Sequence, residues 1–172
     1  MISNIKDLRE FLREDRDALR VKFTFKNVIF NNIWKFQRNL RYVEYLTNTN
    51  SKFLLYFFKF RLNRLGIKLG FSIPPNVFDK GLSIAHYGTI VVNKNARIGK
   101  NCRLHICVNI GADYNQPLLA PHIGDNCYIG PGAKIFGGVK IADNIKIGAN
   151  AVVNKSFFES DKTLVGVPAR AL

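Results

Sequence analysis

The chain has 172 residues, of which 47% are hydrophobic, and a formal net charge of +14. This length and apolar content exclude a disordered chain and allow one compact domain, or one domain with an appendage. The longest apolar stretch, residues 53–58, is far shorter than the ~20 residues that cross a bilayer. The first residues lack the pattern of a secretory signal. The sequence therefore predicts a cytoplasmic protein, and it leaves contact with the inner face of a membrane open.

The positive charge is concentrated in the N-terminal part of the chain. Residues 1–70 contain 15 Lys and Arg against 6 Asp and Glu, whereas residues 71–172 contain 11 against 6. A basic surface of this kind can meet anionic lipid or a phosphorylated substrate. We do not expect nucleic acid as a partner, because no recognised binding motif is present.

Residues 1–68 are predicted to form an α-helical N-terminal region. Apolar residues at helical spacing predict a first helix over about 5–20. Asn31 or Asn32 is a candidate N-cap for a second helix that runs through Leu46.

A third helix is predicted from Lys52 to Leu65, with Asn48 or Ser51 as its N-cap and Gly66 as its C-cap. Its aromatic residues are dense: Phe53, Tyr56, Phe57, Phe58 and Phe60. Packing against the neighbouring helices explains them. The alternative is a basic, aromatic surface that contacts a membrane or binds a lipid-linked acceptor.

Residues 69–172 contain a repeat of six residues. Branched aliphatic residues recur at Val92, Ile98, Leu104, Ile110, Ile123, Ile129, Ile135, Ile141, Ile147 and Val153. A second set of small or apolar residues follows four places later, at Ala96, Cys102, Val108, Cys127, Ala133, Val139, Ile145 and Ala151. Neither a helix nor a simple strand has this period. A coil with three flat faces does, and a partial turn through Phe78, Ile84 and Ile90 precedes the clean repeat. The pattern predicts a hexapeptide β-helix of about five coils over residues 73 to about 165.

Two features interrupt or decorate the repeat. The step from Ile110 to Ile123 is thirteen residues instead of six, and its Gly, Asp, Asn and Pro content indicates a turn or an excluded loop. The three cysteines lack the spacing of a metal site. Cys102 and Cys127 fall on the inward second set, so we expect reduced thiols with a structural role.

Three segments give a family resemblance: residues 84–92 (IAHYGTIVV), residues 121–124 (PHIG) and residues 166–170 (GVPAR). Together with the repeat they resemble hexapeptide-repeat acyltransferases of the serine-acetyltransferase-like branch, closest to colanic-acid and capsular-polysaccharide O-acetyltransferases. The resemblance implies a left-handed parallel β-helix, although the usual crossover rule would predict the opposite hand. It also implies a homotrimer that binds acetyl-CoA between adjacent subunits and uses no metal.

By the same resemblance, His86 is the general base that accepts the proton of an attacking hydroxyl. Serine acetyltransferases carry Asp immediately before this His and another Asp near the first coil. Here these positions hold Ala85 and, by register from Pro74, Phe71. Without these carboxylates the ammonium group of serine has no counter-charge. What orients His86 stays open between Asn93, Asp113 and a backbone carbonyl.

The remaining site residues are also assigned through the resemblance. His122 replaces a family histidine expected at position 120, and we expect it to contact the acceptor or the donor. Asp113 and Asn93 are further candidates for acceptor-binding or auxiliary residues. His105 is predicted to face outward. The residues expected to contact the donor are Pro131, Ala149, Asn154, Lys155 and Arg170.

The sequence leads to one function and leaves two alternatives. The first is an acetyl-CoA-dependent O-acetyltransferase acting on a sugar hydroxyl of a surface polysaccharide or its lipid-linked or nucleotide-linked precursor. The second is a serine O-acetyltransferase of cysteine biosynthesis. The third is a non-catalytic β-helix scaffold. The missing carboxylates favour the sugar acceptor over serine.

Overall fold

The structure, a computed structural model, describes residues 1–172. The N-terminal part consists of four helices: α1 (Ile5–Ala18), α2 (Phe25–Phe30), α3 (Asn32–Asn48) and α4 (Lys52–Leu69). No helix combines the length and the apolarity needed to span a bilayer.

The rest of the chain forms a left-handed parallel β-helix with three flat faces, as predicted. Face 1 contains β1 (Phe71–Ser72), β3 (Ile90–Val92), β6 (Val108–Gly111), β9 (Lys134–Phe136) and β12 (Val152–Val153). Face 2 contains β4 (Arg97–Ile98), β7 (His122–Ile123) and β10 (Lys140–Ile141). Face 3 contains β2 (Ser83–Ile84), β5 (Arg103–Leu104), β8 (Tyr128–Ile129), β11 (Lys146–Ile147), β13 (Thr163–Val165) and the antiparallel β14 (Arg170–Ala171).

The interior of this prism is built by the two predicted sets of residues. All ten aliphatic repeat positions and all eight positions of the second set are buried. Parallel pairing stacks equivalent residues from coil to coil, for example Ile84 on Leu104 and Leu104 on Ile129. Each coil thus covers the apolar side chains of the next, which removes them from water.

The thirteen residues from Ile110 to Ile123 form a single corner between two faces of the β-helix. Ile110 lies on face 1 and Ile123 on face 2, which six residues normally connect. The thirteen-residue step therefore inserts seven extra residues, and the loop they form stands outside the coil. The edge where the chain passes from face 1 to face 2 is called the 1–2 edge below. The edge where it passes from face 3 to face 1 is called the 3–1 edge.

The structure confirms three helices and corrects their details. Asn31 caps α3 by accepting a hydrogen bond from the Trp34 amide. The short helix α2 was not predicted, although Thr24 gives a sequence signal because its hydroxyl accepts from the Asn27 amide. Ser51 occupies the N-cap position of α4 without a side-chain bond.

The predicted end of α4 at Gly66 was wrong. The helix continues to Leu69, and Gly70 ends it in the left-handed conformation (φ 78°), which glycine adopts without strain. Gly66 is buried inside the helix, where a Cβ would lie 2.7 Å from the carbonyl oxygen of Phe71. The sequence alone does not distinguish a glycine that lets a helix approach a strand closely, such as Gly66, from a glycine that ends the helix, such as Gly70.

Phe36 and Leu40 of α3 belong to the same hydrophobic core as the coils. A division of the chain into residues 1–68 and 69–172 therefore stays a prediction from sequence. The helices pack against the first coil.

A buried ionic cluster joins the helices to the first coil. Arg41 donates to the carboxylate of Asp15 (2.8 Å) and to that of Glu44 (2.9 Å), and all three side chains are shielded from solvent. It also donates to the carbonyl oxygens of Phe78 and Asp79 in the first coil. Burial alone would lower the pKa of Arg41, but the two carboxylates outweigh it and raise the pKa well above its ordinary value. Arg41 is therefore a fixed cation.

Replacing Arg41 with Met is expected to destabilise the protein by about 3–5 kcal/mol, because two buried carboxylates lose their counter-charge. Chemical denaturation monitored by circular dichroism measures this change. The matched control is Arg13→Met, which removes an exposed ion pair with Glu14 and should leave the stability nearly unchanged, because solvent screens exposed pairs. Equal effects in the two variants would contradict the structural role of the cluster.

Candidate active site

His86 lies on the 3–1 edge of the first coil, at a corner that is longer than its neighbours. Ile84 pairs with Leu104, and Val92 pairs with Ile110. The first coil uses eight residues between these positions, whereas the second uses six. The two extra residues push the corner outward, and His86 is exposed there. In the sequence, Ile90 takes the aliphatic position six residues after Ile84. In the structure Val92 holds that place, and Ile90 pairs with Val108 of the second set, so the two extra residues were not recognised.

The junction between α4 and β1 holds the extended corner. The Gly88 amide donates to the carbonyl oxygen of Leu69 (3.1 Å), and the Ile90 amide donates to that of Gly70 (2.9 Å). The backbone that carries His86 is thereby tied to the end of α4. The helical region positions the corner although it contributes no side chain to it.

Three of the predicted site residues lie in one column along the 3–1 edge. From the pairing of β2, β5, β8 and β11, His86 stands above Ile106, Pro131 and Ala149. Successive coils are separated by about 4.8 Å, so Pro131 lies about 10 Å and Ala149 about 14 Å below the level of His86. Ala149 is exposed and Pro131 is half-buried. Below the half-buried Ile106, the side chains of the column are small or compact.

An aromatic row runs beside this column. The rings of His86 and His105 have centroids 5.9 Å apart, and those of His105 and Tyr128 are 5.0 Å apart. His105, predicted to face outward, is half-buried between the other two. Burial, together with the nearby charges of Arg103 and His86, lowers the pKa of His105 below its ordinary value. His105 is therefore held neutral beside His86 over a wider pH range than a free imidazole.

The candidates for orienting His86 lie elsewhere in the chain. Asn93 and Asp113 are on the 1–2 edge, across face 1 from His86. The carboxylate of Asp113 accepts from the Asn115 and Gln116 amides (2.8 and 3.1 Å), and Asn93 accepts from the Asn95 amide. Both side chains therefore stabilise local turns, and within one chain neither contacts His86.

His122 lies on the outer surface of face 2, between Arg97 and Lys140. These three side chains line a cavity of about 490 Å³ that the N-terminus and α1 close on one side, with Met1 and Phe11 in its wall. His122 and His86 are thus on different sides of the prism. A single chain does not bring them together.

The remaining predicted donor residues are divided between two places. Asn154 and Lys155 are exposed on the 1–2 edge of the last coil, and the Lys155 ammonium lies 5.5 Å from the ring centroid of Phe157. Arg170 is exposed on β14, at the lower end of face 3. No three His, Cys, Asp or Glu side chains converge in a way that could hold a metal ion.

Residues 120–155 match the family described as bacterial transferase hexapeptide (six repeats). The chain is 37% identical over 101 residues to a serine acetyltransferase of Staphylococcus xylosus, covering 58% of this chain and 46% of that protein. It is 30% identical over 105 residues to a serine acetyltransferase of Synechococcus elongatus, covering 60% and 43%. Part of the chain thus matches the hexapeptide-repeat transferase family, and about 100 residues are similar to serine acetyltransferases. The chain spans less than half the length of these two relatives.

Solved structures show the same relationship over almost the entire chain. Soybean serine acetyltransferase, in its apoenzyme form, superimposes with a TM-score of 0.81 and 26% identity, covering 97% of this chain and 69% of that one. The serine acetyltransferase of Neisseria gonorrhoeae gives a TM-score of 0.78 and 27% identity, covering 98% and 67%. The similarity therefore includes the N-terminal helices as well as the coils. A closer relation to polysaccharide-modifying enzymes, which the sequence motifs predict, is not among these findings.

Sequence reasoning missed the neighbours of His86 on face 3. Tyr128 and Arg103 lie on the outer surface next to His105. The six-residue repeat could have located them, because each precedes an inward aliphatic residue by one place and must point outward.

Asp113→Ala should leave the fold intact but loosen the loop between Ile110 and Ile123. Losing the two hydrogen bonds, each worth about 1 kcal/mol, should accelerate hydrogen exchange at the Asn115 and Gln116 amides roughly fivefold or more. Asp113→Asn keeps an acceptor oxygen and should restore most of the protection. Unchanged exchange in Asp113→Ala would contradict the turn-stabilising role of this carboxylate.

Proposed function

We propose that this protein is an acetyl-CoA-dependent O-acetyltransferase in which His86 is the general base. The observation that supports it best is the column on the 3–1 edge, where an exposed imidazole stands above Ile106, Pro131 and the exposed Ala149. The homology to serine acetyltransferases supports the same reaction. The acyl group passes directly from the donor to the acceptor hydroxyl in a ternary complex.

The chemistry requires a base because a neutral hydroxyl attacks a thioester poorly. In the proposed step the Nε2 or Nδ1 atom of His86 accepts the hydroxyl proton while the oxygen bonds to the thioester carbon. The carbon–sulfur bond then breaks and coenzyme A leaves as the thiol, which takes up the proton. Such proton transfer contributes typically 10²–10⁴-fold to the rate.

The donor is proposed to lie along the 3–1 edge with its thioester at His86. Pro131 and Ala149 leave room for the pantetheine arm, and the backbone of the edge supplies hydrogen-bonding groups. Cationic side chains suit the phosphates of the nucleotide end, and Arg170 at the base of face 3 is one such group.

Asn154, Lys155, His122 and Asp113 can join this site only from a second copy. All four lie on face 2 or on the 1–2 edge, away from the column. If a neighbouring subunit presents its 1–2 edge to the 3–1 edge, the two sets face each other across a cleft. We therefore propose a homotrimer in which each site is completed by the adjacent subunit.

Serine is the acceptor that the names of the relatives support. A sugar hydroxyl is the second candidate, and one observation favours it. Where serine acetyltransferases carry Asp, this chain has Ala85 and Phe71, and the ring of Phe71 is buried against Phe36 (5.1 Å). Neither position supplies a carboxylate for an ammonium group, whereas a sugar needs none.

Thiol release from acetyl-CoA, measured with serine and with a panel of oligosaccharides, tests the reaction and its acceptor together. His86→Ala should lower kcat by at least about 10²-fold with unchanged thermal unfolding. Lys100→Ala, an exposed change on another edge, should leave the rate unaltered. Full activity in His86→Ala would overturn the assignment, and no thiol release with any acceptor would favour the scaffold alternative.

Ala149→Phe tests the position of the donor. Because Ala149 is exposed, the ring does not disturb the core, but it occupies the strip proposed for the pantetheine arm. We expect the KM for acetyl-CoA to rise at least about tenfold, corresponding to the loss of a few close contacts, while the KM for the acceptor stays the same. Equal increases in both KM values would place the donor elsewhere.

A further inference from the structure

Helix α4 has two apolar faces, and only one of them is covered. Leu62, Leu65 and Leu69 pack against the core, and the ring of Phe58 stacks on Tyr42 with centroids 4.8 Å apart. The opposite face carries exposed residues at helical spacing: Phe53, Tyr56, Phe57, Phe60 and Ile67. A helix that is apolar on all sides is normally buried on all sides. This one leaves its outer stripe in solvent.

The exposure of this stripe is large. Phe53 is 93% exposed, Tyr56 73% and Ile67 74%. Single exposed apolar residues are ordinary on protein surfaces, but a contiguous row of aromatic side chains marks an interaction site. The uncovered face of α4 therefore needs a partner.

The charges beside the stripe are all of one sign. Helix α4 contains no Asp or Glu, and its five cations flank or interrupt the apolar row: Lys52, Lys59, Arg61, Arg64 and Lys68. Arg61 lies over the ring of Phe57 (5.4 Å) and Arg64 over that of Phe60 (5.9 Å). The stripe and its cations form one amphipathic surface, which we call the α4 surface.

The charge bias extends over the surrounding sequence. Between residues 18 and 78 the chain has eleven Lys and Arg but only one carboxylate, Glu44. Glu44 is buried and bonded to Arg41. Helix α2, which packs against α3, carries exposed Phe25 and Phe30, and Arg38 of α3 donates to the Val28 carbonyl oxygen. No acidic side chain from these helices offsets the cations in solvent.

The exposed apolar stripe and the cations of α4 together favour one kind of partner over two others. A second copy of the chain would bring one cationic surface against another, which like-charge repulsion disfavours. Nucleic acid would suit the cations but not the aliphatic Leu54 and Ile67, which cannot stack on bases as aromatic rings do. A bilayer with anionic headgroups satisfies both features, because Phe and Ile enter the acyl boundary while Lys and Arg remain among the phosphates.

We propose that the α4 surface docks the protein on an anionic membrane surface. The helix lies in the plane of the interface, with the coils pointing into solution. This proposal is independent of the acetyltransferase activity and of the acceptor. It locates the enzyme at a membrane without any segment that crosses it.

The test uses the full chain and vesicles of phosphatidylcholine alone or mixed with phosphatidylglycerol, separated by flotation. We expect binding to the mixed vesicles, weak binding to neutral ones, and release at high salt. Each basic residue near an anionic bilayer strengthens binding roughly fivefold. Lys59→Gln with Arg61→Gln should therefore weaken it about 25-fold.

The apolar part of the proposal needs its own variant. Phe53→Ser with Phe60→Ser removes two exposed rings and should weaken vesicle binding more than about tenfold, with unchanged thermal unfolding. The controls are Phe158→Ser, which removes one exposed ring from the coils, and Lys100→Gln with Lys162→Gln, which removes two cations from them; both should bind normally.

Three results would overturn the proposal. The first is no binding to mixed vesicles. The second is vesicle binding that the Phe53 and Phe60 changes do not affect, which would indicate adsorption by charge alone, and competition by RNA in that case would identify nucleic acid. The third is self-association in sedimentation velocity that these changes abolish, which would identify a second copy as the occupant.

Discussion

The structure depends on one constraint, the exact superposition of consecutive coils by parallel hydrogen bonding. Because every coil repeats the path of the one before, residues separated by one turn fall into columns. Inward columns of Ile, Leu and Val form the core, and outward columns place side chains in fixed rows on the faces and edges. The His86 column is a consequence of this register. No loop is needed to align Ile106, Pro131 and Ala149 below the corner that carries the imidazole.

Departures from the register carry the candidate functional features. Two extra residues push the His86 corner out of line, and seven extra residues form the loop at the 1–2 edge. Both are held by specific bonds, the first by the end of α4 and the second by Asp113. The regular coils fix the position of the His86 corner and of the loop between Ile110 and Ile123. The side chains of these two segments can vary without disturbing the core, because loops tolerate changes that the coils do not.

The N-terminal helices have two roles in this account. Through Arg41 and its carboxylates they close the open upper end of the coil stack, which would otherwise expose apolar residues and unpaired backbone groups. Through the uncovered face of α4 they present an aromatic and basic surface away from the coils. The first role stabilises the fold through buried contacts, whereas the second is the proposed contact with a membrane.

Much of the fold was predictable because the core has a strict period. The six-residue repeat predicted the three-faced coil, its five turns and the inward positions of Cys102 and Cys127, all confirmed. The short helix α2 was missed because a single side-chain cap leaves little trace in the sequence pattern. The role of Gly66 was misassigned because a glycine at a close backbone approach looks like a helix-ending glycine in the sequence. The relation between Asn93, Asp113 and His86 could not be predicted, because a repeat fixes a residue's height and face but not which subunit completes a site.

The similarity to serine acetyltransferases and the absence of carboxylates at positions 71 and 85 point to different acceptors. The proposed reaction and the proposed donor site are common to both possibilities. Whichever acceptor is used, the exposed imidazole of His86 and the 3–1 edge below it are proposed to form the donor site.

A crystal structure of the protein with coenzyme A tests this claim most directly. The account predicts the pantetheine arm along the 3–1 edge, past Ala149 and Pro131, with its sulfur next to the imidazole of His86 and a neighbouring subunit on its other side. Coenzyme A bound in the cavity of face 2, or a 3–1 edge sealed by another chain, would contradict it.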